Sequence, residues 1–85
     1  MNEYPCLRGF KAIGLGGDSF VGKMKTAVES IVGPVPEDMV RVRPSSKGKY
    51  NAVDIGPVMV MNVEQVMSIF AAMKEHGGDD LKWFL

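Results

Sequence analysis

The spacing of apolar residues predicts an α+β fold with the order strand, helix, strand, strand, helix, strand. Two segments repeat apolar residues at intervals of three and four, which is the spacing of one helix face. Four other segments are short, contain alternating or clustered apolar residues, and are bounded by turn residues. With 85 residues, the chain has room for one small domain, which we place at residues 1–85.

The first predicted strand covers residues 6–13 and leads through a glycine-rich turn into the first helix. Asp18 or Ser19 is the expected N-cap of this helix, and Gly33 followed by Pro34 ends it. Its apolar stripe should lie against a sheet: Phe20, Val21, Met24, Ala27, Val28 and Ile31.

The second strand, residues 39–43, alternates valines with Arg41 and Arg43, which predicts a half-buried strand with both arginines on the outer face. The third runs from residue 50 to residue 61. Gly56 and Pro57 interrupt it and predict a bulge or bend, because proline cannot donate a ladder hydrogen bond.

The second helix is predicted to begin after Asn62, which stands where a capping residue is expected. Its apolar stripe contains Val63, Val66, Met67, Phe70 and Met73. His76 and two glycines end it, and a role in capping is the expectation for this histidine. In the terminal strand, alternation places Leu81, Trp83 and Leu85 on one face and Lys82 and Phe84 on the other.

The order βαββαβ predicts the ferredoxin-like plait, a four-stranded antiparallel sheet with two helices on one face. The other face of such a sheet is open, so solvent, a partner or a ligand must cover it. The last strand is an edge in this topology, and large aromatic residues on an edge favour pairing or cover. Trp83 and Phe84 are therefore predicted to form an interface.

The amino-acid composition limits the classes of function that this chain can have. The formal net charge is zero, so recognition of nucleic acid or an anionic membrane would have to be local. Cys6 is the only cysteine, which excludes an intrachain disulfide and agrees with a reducing compartment. No apolar run has membrane-spanning length. No catalytic or metal-binding pattern stands out, and we expect a cytoplasmic protein that is not an enzyme and carries no cofactor.

A polar segment between the second and third strands is the first candidate binding site. It places cations, hydroxyl groups and flexible residues together: Arg43, Pro44, Ser45, Ser46, Lys47, Gly48, Lys49 and Tyr50. The segment either forms a structural hairpin with some partner contact or contacts an anion. The segment lacks the Gly-x-x-x-x-Gly-Lys-Ser/Thr spacing of a phosphate-binding P-loop. Tyr50 after Lys47 and Gly48 is also typical of the third strand of RNA-recognition modules, where it would stack on a base.

The turn before the first helix is the second candidate, a small-molecule loop formed by Gly14, Gly16, Gly17, Asp18 and Ser19. Glycines before a helix N-terminus can expose N–H groups to an anion. The same glycines also suit a purely structural turn that needs positive φ. Asp18 would repel an anion there.

The chain resembles the YbeD-like family of small uncharacterised proteins in residues 4–6, 10–14 and 43–50 and in its hydrophobic terminal strand. The resemblance covers nearly the whole chain, and its most specific part is Pro44, Ser45, Ser46, Lys47, Gly48 and Tyr50. It implies a ferredoxin-like fold similar to ACT regulatory domains and, in bacteria, an association with lipoate metabolism. The chain departs from the bacterial pattern in residues 14–17 and at Trp83 and Phe84. The resemblance brings no catalytic residues.

These observations predict a small binding or regulatory module that contacts a protein partner, a second copy of itself or a small metabolite. RNA binding is the alternative from another class, although the net charge makes nucleic acid an unlikely partner. An accessory factor for a lipoyl or acyl-transfer enzyme is the third hypothesis.

Overall fold

The computed structural model describes residues 3–44 and 49–84 and has the predicted order of elements. The strands are β1 (Cys6–Gly14), β2 (Val40–Pro44), β3 (Asn51–Val60) and β4 (Leu81–Phe84). The helices are α1 (Gly17–Val32) and α2 (Val63–Gly77), and short 3-10 turns, Glu37–Met39 and Gly78–Asp80, precede β2 and β4. The predicted α+β ferredoxin-like plait is confirmed.

The strands form one antiparallel sheet in the order β2-β3-β1-β4. The two central strands, β1 and β3, share the largest number of paired residues, and β2 and β4 are the edge strands. The prediction that the last strand is an edge is therefore confirmed. Within the described residues, β4 pairs with the end of β1, from Ala12 to Gly14.

The hydrophobic core lies between the sheet and the two helices. Alternate residues of the central strands, Phe10 and Ala12 in β1 and Val53 and Ile55 in β3, are buried there. The helices contribute Phe20, Met24, Ala27, Val28, Val66, Ile69 and Met73. Burial of each large apolar side chain contributes about 1.5–3 kcal/mol, so this layer is the main source of stability. The residues between the buried ones face the open side of the sheet.

The bend predicted at Gly56 is present. The pairing of β1 with β3 shifts between Arg8 and Phe10, opposite Gly56. Gly56 has a φ of 124°, and a Cβ there would lie only 3.0 Å from the Arg8 carbonyl oxygen. A residue with a side chain would be strained at this position for both reasons.

The two helices begin differently. Neither Asp18 nor Ser19 caps α1, and that prediction is wrong: the N-cap is Gly16 in the left-handed region, and no side chain caps the helix. Gly16 can adopt this φ at low cost, so the helix starts earlier than a polar cap would allow. The prediction for α2 is confirmed, because Asn62 Oδ1 accepts a hydrogen bond from the Gln65 N–H at 2.9 Å.

Two predicted faces need correction. In α2, Val63 and Met67 are exposed, and Ile69 occupies the core with Val66 and Met73. Apolar residues cover more of the surface of this helix than the sheet buries. Their spacing alone therefore did not show which of them face the core.

In β4, Leu81 and Phe84 pack against the core and Trp83 faces away from it. Strict alternation fails because the register of β1 with β4 shifts between Ile13 and Gly14.

Candidate functional site

The open face of the sheet carries a row of charges across three strands. Lys11 of β1 and Arg41 of β2 both lie opposite Asp54 of β3 in the strand register. Lys11 Nζ is 3.9 Å from Asp54 Oδ1, and Arg43 Nη2 is 3.3 Å from Asp54 Oδ2. One half-buried carboxylate is thus shared by cations from both neighbouring strands.

Arg41 is fixed by the backbone rather than by the carboxylate. Its Nη2 donates a hydrogen bond to the Gly56 carbonyl oxygen at 3.1 Å. The bulge at Gly56 therefore helps to position this guanidinium over the open face. Of the four charged side chains in this cluster, Lys11, Arg41, Arg43 and Asp54, three are positive, so the cluster has a formal charge of +2 on a chain whose net charge is zero. A negatively charged surface would complement it.

A shallow depression of about 260 Å³ lies within this cluster. Lys11, Arg41 and Asp54 contribute its charged groups, and Gly9 leaves room because it has no side chain. This volume is below the usual range of small-molecule sites, which is roughly 300–1,000 Å³. The depression can hold a carboxylate or a similar small anion, but it does not enclose one.

Apolar side chains flank the charges on the same face. Leu7 and Met59 form a cross-strand pair at one end, and they are 64% and 50% exposed. Trp83 lies opposite Ile13 at the other end and is 48% exposed. Exposed large apolar residues rimmed by charges are typical of a protein-binding surface. We call these residues, with Lys11, Arg41, Arg43 and Asp54, the open-face surface.

The predicted polar segment reaches this surface at its first residue. Arg43 lies in β2 and pairs with Asp54, and Pro44 ends the strand. Ser45, Ser46, Lys47 and Gly48 lie outside the described residues. At the other end, Lys49 Nζ lies 5.7 Å from the centroid of the Tyr50 ring, and Tyr50 is half-buried. The role of the segment in binding stays a prediction.

The glycine loop packs against the turn before β4. The Leu15 N–H donates a hydrogen bond to the Asp80 carbonyl oxygen at 2.9 Å. The Asp80 carboxylate lies over Gly16, where a Cβ would be 3.2 Å from its Oδ2. It also forms an ion pair with Lys23 at 3.6 Å. Because the N-terminus of α1 already has this carboxylate beside it, a second anion would be repelled.

The other residues of this loop have local reasons for their identity. Gly16 and Gly17 have φ values of 110° and 58°, so both positions favour glycine. Asp18 stands in the first turn of α1, and Ser19 is exposed beside it. These contacts support a structural turn, and the small-molecule loop stays a prediction.

The predicted interface residues lie on opposite faces of β4. Trp83 belongs to the open-face surface. Phe84 lies on the helix side, where its ring centroid is 5.4 Å from that of Phe70. Phe84 is therefore half-buried against α2, and Trp83 is the residue of the pair that is available to a partner.

Lys11 and Asp54 were not identified from the sequence. Lys11 is one of two cations in β1 and Asp54 is the one charged residue of β3, and their proximity depends on the register of β1 with β3. Arg41 and Arg43 were correctly expected to share a face.

Within residues 3–44 and 49–84, no three His, Cys, Asp or Glu side chains are grouped closely enough to hold a metal ion. No helix in that part of the chain has the length and apolar character needed to cross a membrane. Cys6 is a half-buried free thiol.

The fold and the site define a ferredoxin-like domain with a positively charged, partly apolar open sheet face. Residues 1–85 match the family described as protein of unknown function (DUF493), and the chain belongs to this family. Comparison with curated proteins and with solved structures gives no match.

Proposed function

We propose that this protein is a binding module, not an enzyme, and that its open-face surface binds a partner protein with a negatively charged contact area. The observation that carries the proposal is the cluster of Lys11, Arg41 and Arg43 around a single carboxylate, flanked by exposed Trp83. The apolar residues supply contact area, and the cations supply orientation and faster association.

The geometry supports a protein more than a small metabolite. The depression between the charges is open and about 260 Å³ in volume, whereas the apolar residues lie outside it at both ends of the face. A metabolite in the depression would leave Leu7, Met59 and Trp83 exposed. A protein surface would cover all three.

The alternative of RNA binding receives less support. RNA-recognition modules of this fold stack bases on aromatic side chains of the central strands. On the open face, β1 and β3 carry no aromatic residue among the positions described, which are Leu7, Gly9, Lys11, Ile13, Ala52, Asp54 and Met59. Base stacking would depend on Trp83 at the edge and on Tyr50, which lies just before β3 and is half-buried.

The YbeD-like resemblance suggests the setting of this activity. It favours a regulatory role similar to that of ACT domains, and a cytoplasmic partner among the enzymes of lipoate or acyl-group transfer. The module would then act as an accessory factor of such an enzyme. This assignment rests on the resemblance, while the proposed binding surface rests on the geometry of the sheet.

The test is quantitative capture of partners from native lysate with charge-reversed variants. The variant Arg41→Glu with Arg43→Glu changes two exposed residues of β2, and the control Thr26→Glu introduces a carboxylate at an exposed residue of α1, on the helix side of the molecule. We expect the control to retain a partner that the β2 variant loses, with similar melting temperatures for both. Identical partners for both variants would contradict the proposal.

A further inference from the structure

The first half of β1 has an unpaired edge. β4 pairs with β1 only from Ala12 to Gly14, and within the described residues no strand lies beside Cys6–Phe10 on that side. The other side of this half is paired with β3. An unpaired strand edge presents backbone N–H and C=O groups to any extended chain that can lie along it.

A groove of about 560 Å³ accompanies this edge on the helix side of the sheet. Tyr4 and Arg8 line it from the start of β1, and Val63, Glu64 and Val66 line it from the first turns of α2. Val63 and Met67 are four residues apart on α2 and are 51% and 64% exposed. Val63 thus offers apolar contact within the groove, and Met67, which is not a lining residue, extends the exposed apolar surface by one turn of α2.

Arg8 has no ionic partner in this groove. Its guanidinium carbon lies 5.5 Å from the Phe10 ring centroid and 5.6 Å from that of Phe70. Its Nε is buried and has no hydrogen-bond partner among residues 3–44 and 49–84. Glu64 lines the same groove, but no ion pair joins it to Arg8. A buried donor without a partner is costly, and a carboxylate is the strongest acceptor for a guanidinium.

We infer that this edge and groove bind an extended segment of a partner protein, which adds to the sheet beside Cys6–Phe10 and places an Asp or Glu side chain at Arg8. Apolar side chains two positions to either side of the acidic one contact Val63 and Met67. The surface is separate from Trp83 and the charge cluster, so the inference goes beyond the proposed function.

A second copy of this chain is a poorer occupant. The available edge segments are Cys6–Phe10, Val40–Pro44 and Leu81–Phe84, and none of them contains an Asp or Glu. None of these segments can therefore offer Arg8 a carboxylate, whereas a segment with an acidic residue satisfies Arg8.

The test uses a displayed library of random nine-residue peptides, selected on the folded protein. We expect enriched sequences to carry one Asp or Glu flanked at alternate positions by apolar residues. A synthetic enriched peptide should lose about tenfold or more in affinity when its acidic residue is changed to the amide. Methylation of alternate peptide nitrogens should abolish binding for one set of positions and leave it for the other, because only one set faces the strand edge.

Two variants locate the site. On Arg8→Gln, the acidic peptide and its amide form should bind alike, whereas the open-face control Arg43→Gln should keep the preference. Should Arg8→Gln fail to fold, Met67→Glu replaces it. Its exposed carboxylate should weaken the acidic peptide several-fold without weakening the amide form.

Four outcomes would overturn the inference: no enriched peptide, binding insensitive to Arg8 and Met67, binding lost only on Arg41→Glu with Arg43→Glu, or a dimer that Met67→Glu dissociates. Binding lost only on Arg41→Glu with Arg43→Glu would contradict this inference and still agree with the proposed function, so the two proposals can be distinguished.

Discussion

Replacing Gly14 by alanine should strongly destabilise the protein, although it adds only one methyl group. Gly14 lies at the end of β1 and does not have a positive φ, so the backbone itself accepts a side chain. The new Cβ would lie 2.4 Å from the Asp80 carbonyl oxygen and 2.5 Å from two carbons of the Phe20 ring. Phe20 is fully buried and cannot turn away, so the Asp80 turn has to move.

The expected magnitude follows from these contacts. Overpacking of this kind costs about 1–3 kcal/mol. Movement of Asp80 also breaks the hydrogen bond from the Leu15 N–H, which contributes about 1 kcal/mol. Gly14→Ala should therefore lower the free energy of unfolding by about 3 kcal/mol. For a domain of this size, that corresponds to a fall in melting temperature of about 12–24 °C.

Gly22→Ala is the matched control. Gly22 lies inside α1, and a Cβ there meets nothing within 4 Å. Since glycine in a helix interior costs about 0.5–1 kcal/mol relative to alanine, this variant should be more stable than the wild type. Thermal and urea unfolding followed by circular dichroism measures both changes. A Gly14→Ala protein with wild-type stability would refute the packing of the glycine loop against the Asp80 turn.

This prediction also bears on the small-molecule loop. Since any side chain at Gly14 disturbs the fold, lost ligand binding in a Gly14 variant would not identify a site. Gly17 is the better position to test, because a Cβ there has no neighbour within 4 Å and only its φ of 58° opposes substitution. Asn is the preferred replacement, since it tolerates the left-handed region.

Three further predictions test the orientation of α2, the open face and one ion pair. Ile69→Ala should cost about 2–5 kcal/mol and Met67→Ala less than about 0.5 kcal/mol in urea unfolding, because only Ile69 is buried; equal effects would contradict the orientation of α2. Trp83→Ala should weaken any self-association in sedimentation while leaving helicity unchanged, and a melted fold would instead make Trp83 a core residue. Glu37 raises the pKa of Lys25 above 10.5 by accepting its hydrogen bond, so this stabilisation is present below pH 10.5 and is lost as the pH rises through the raised pKa. As the pH rises through that pKa, the free energy of unfolding of Lys25→Met, measured with urea, should therefore fall less than that of the wild type. Equal falls would contradict a stabilising ion pair between Lys25 and Glu37.

The order of elements was predictable because each has a clear period and clear boundaries. Asn62 and the bend at Gly56 were identified for the same reason, since both depend on local backbone chemistry. The start of α1 was not predicted, because Gly16 begins the helix through its φ rather than through a side chain.

The site was predictable only in part. Alternation in β2 was enough to place Arg41 and Arg43 on one face. Their meeting with Asp54 and Lys11 depends on the register of three strands, and the shift opposite Gly56 helps to set that register. Arg8 presents the same difficulty, because its contact with Phe70 joins β1 to a residue of α2 that is more than sixty positions later in the chain.

Salt dependence can separate an acidic protein partner from RNA on the open face. With three cations, Lys11, Arg41 and Arg43, the contacted phosphates number about three, and for single strands the slope of log K against log salt would be about −2. Without aromatic stacking on β1 or β3, such contacts alone would give weak and sequence-independent binding. An acidic protein gains from the same cations and also buries Leu7, Met59 and Trp83, which adds affinity that salt does not weaken. A complex that persists at high salt and is lost in Leu7→Ala with Met59→Ala would therefore favour the protein partner, because these two aliphatic side chains offer RNA neither charge nor base stacking.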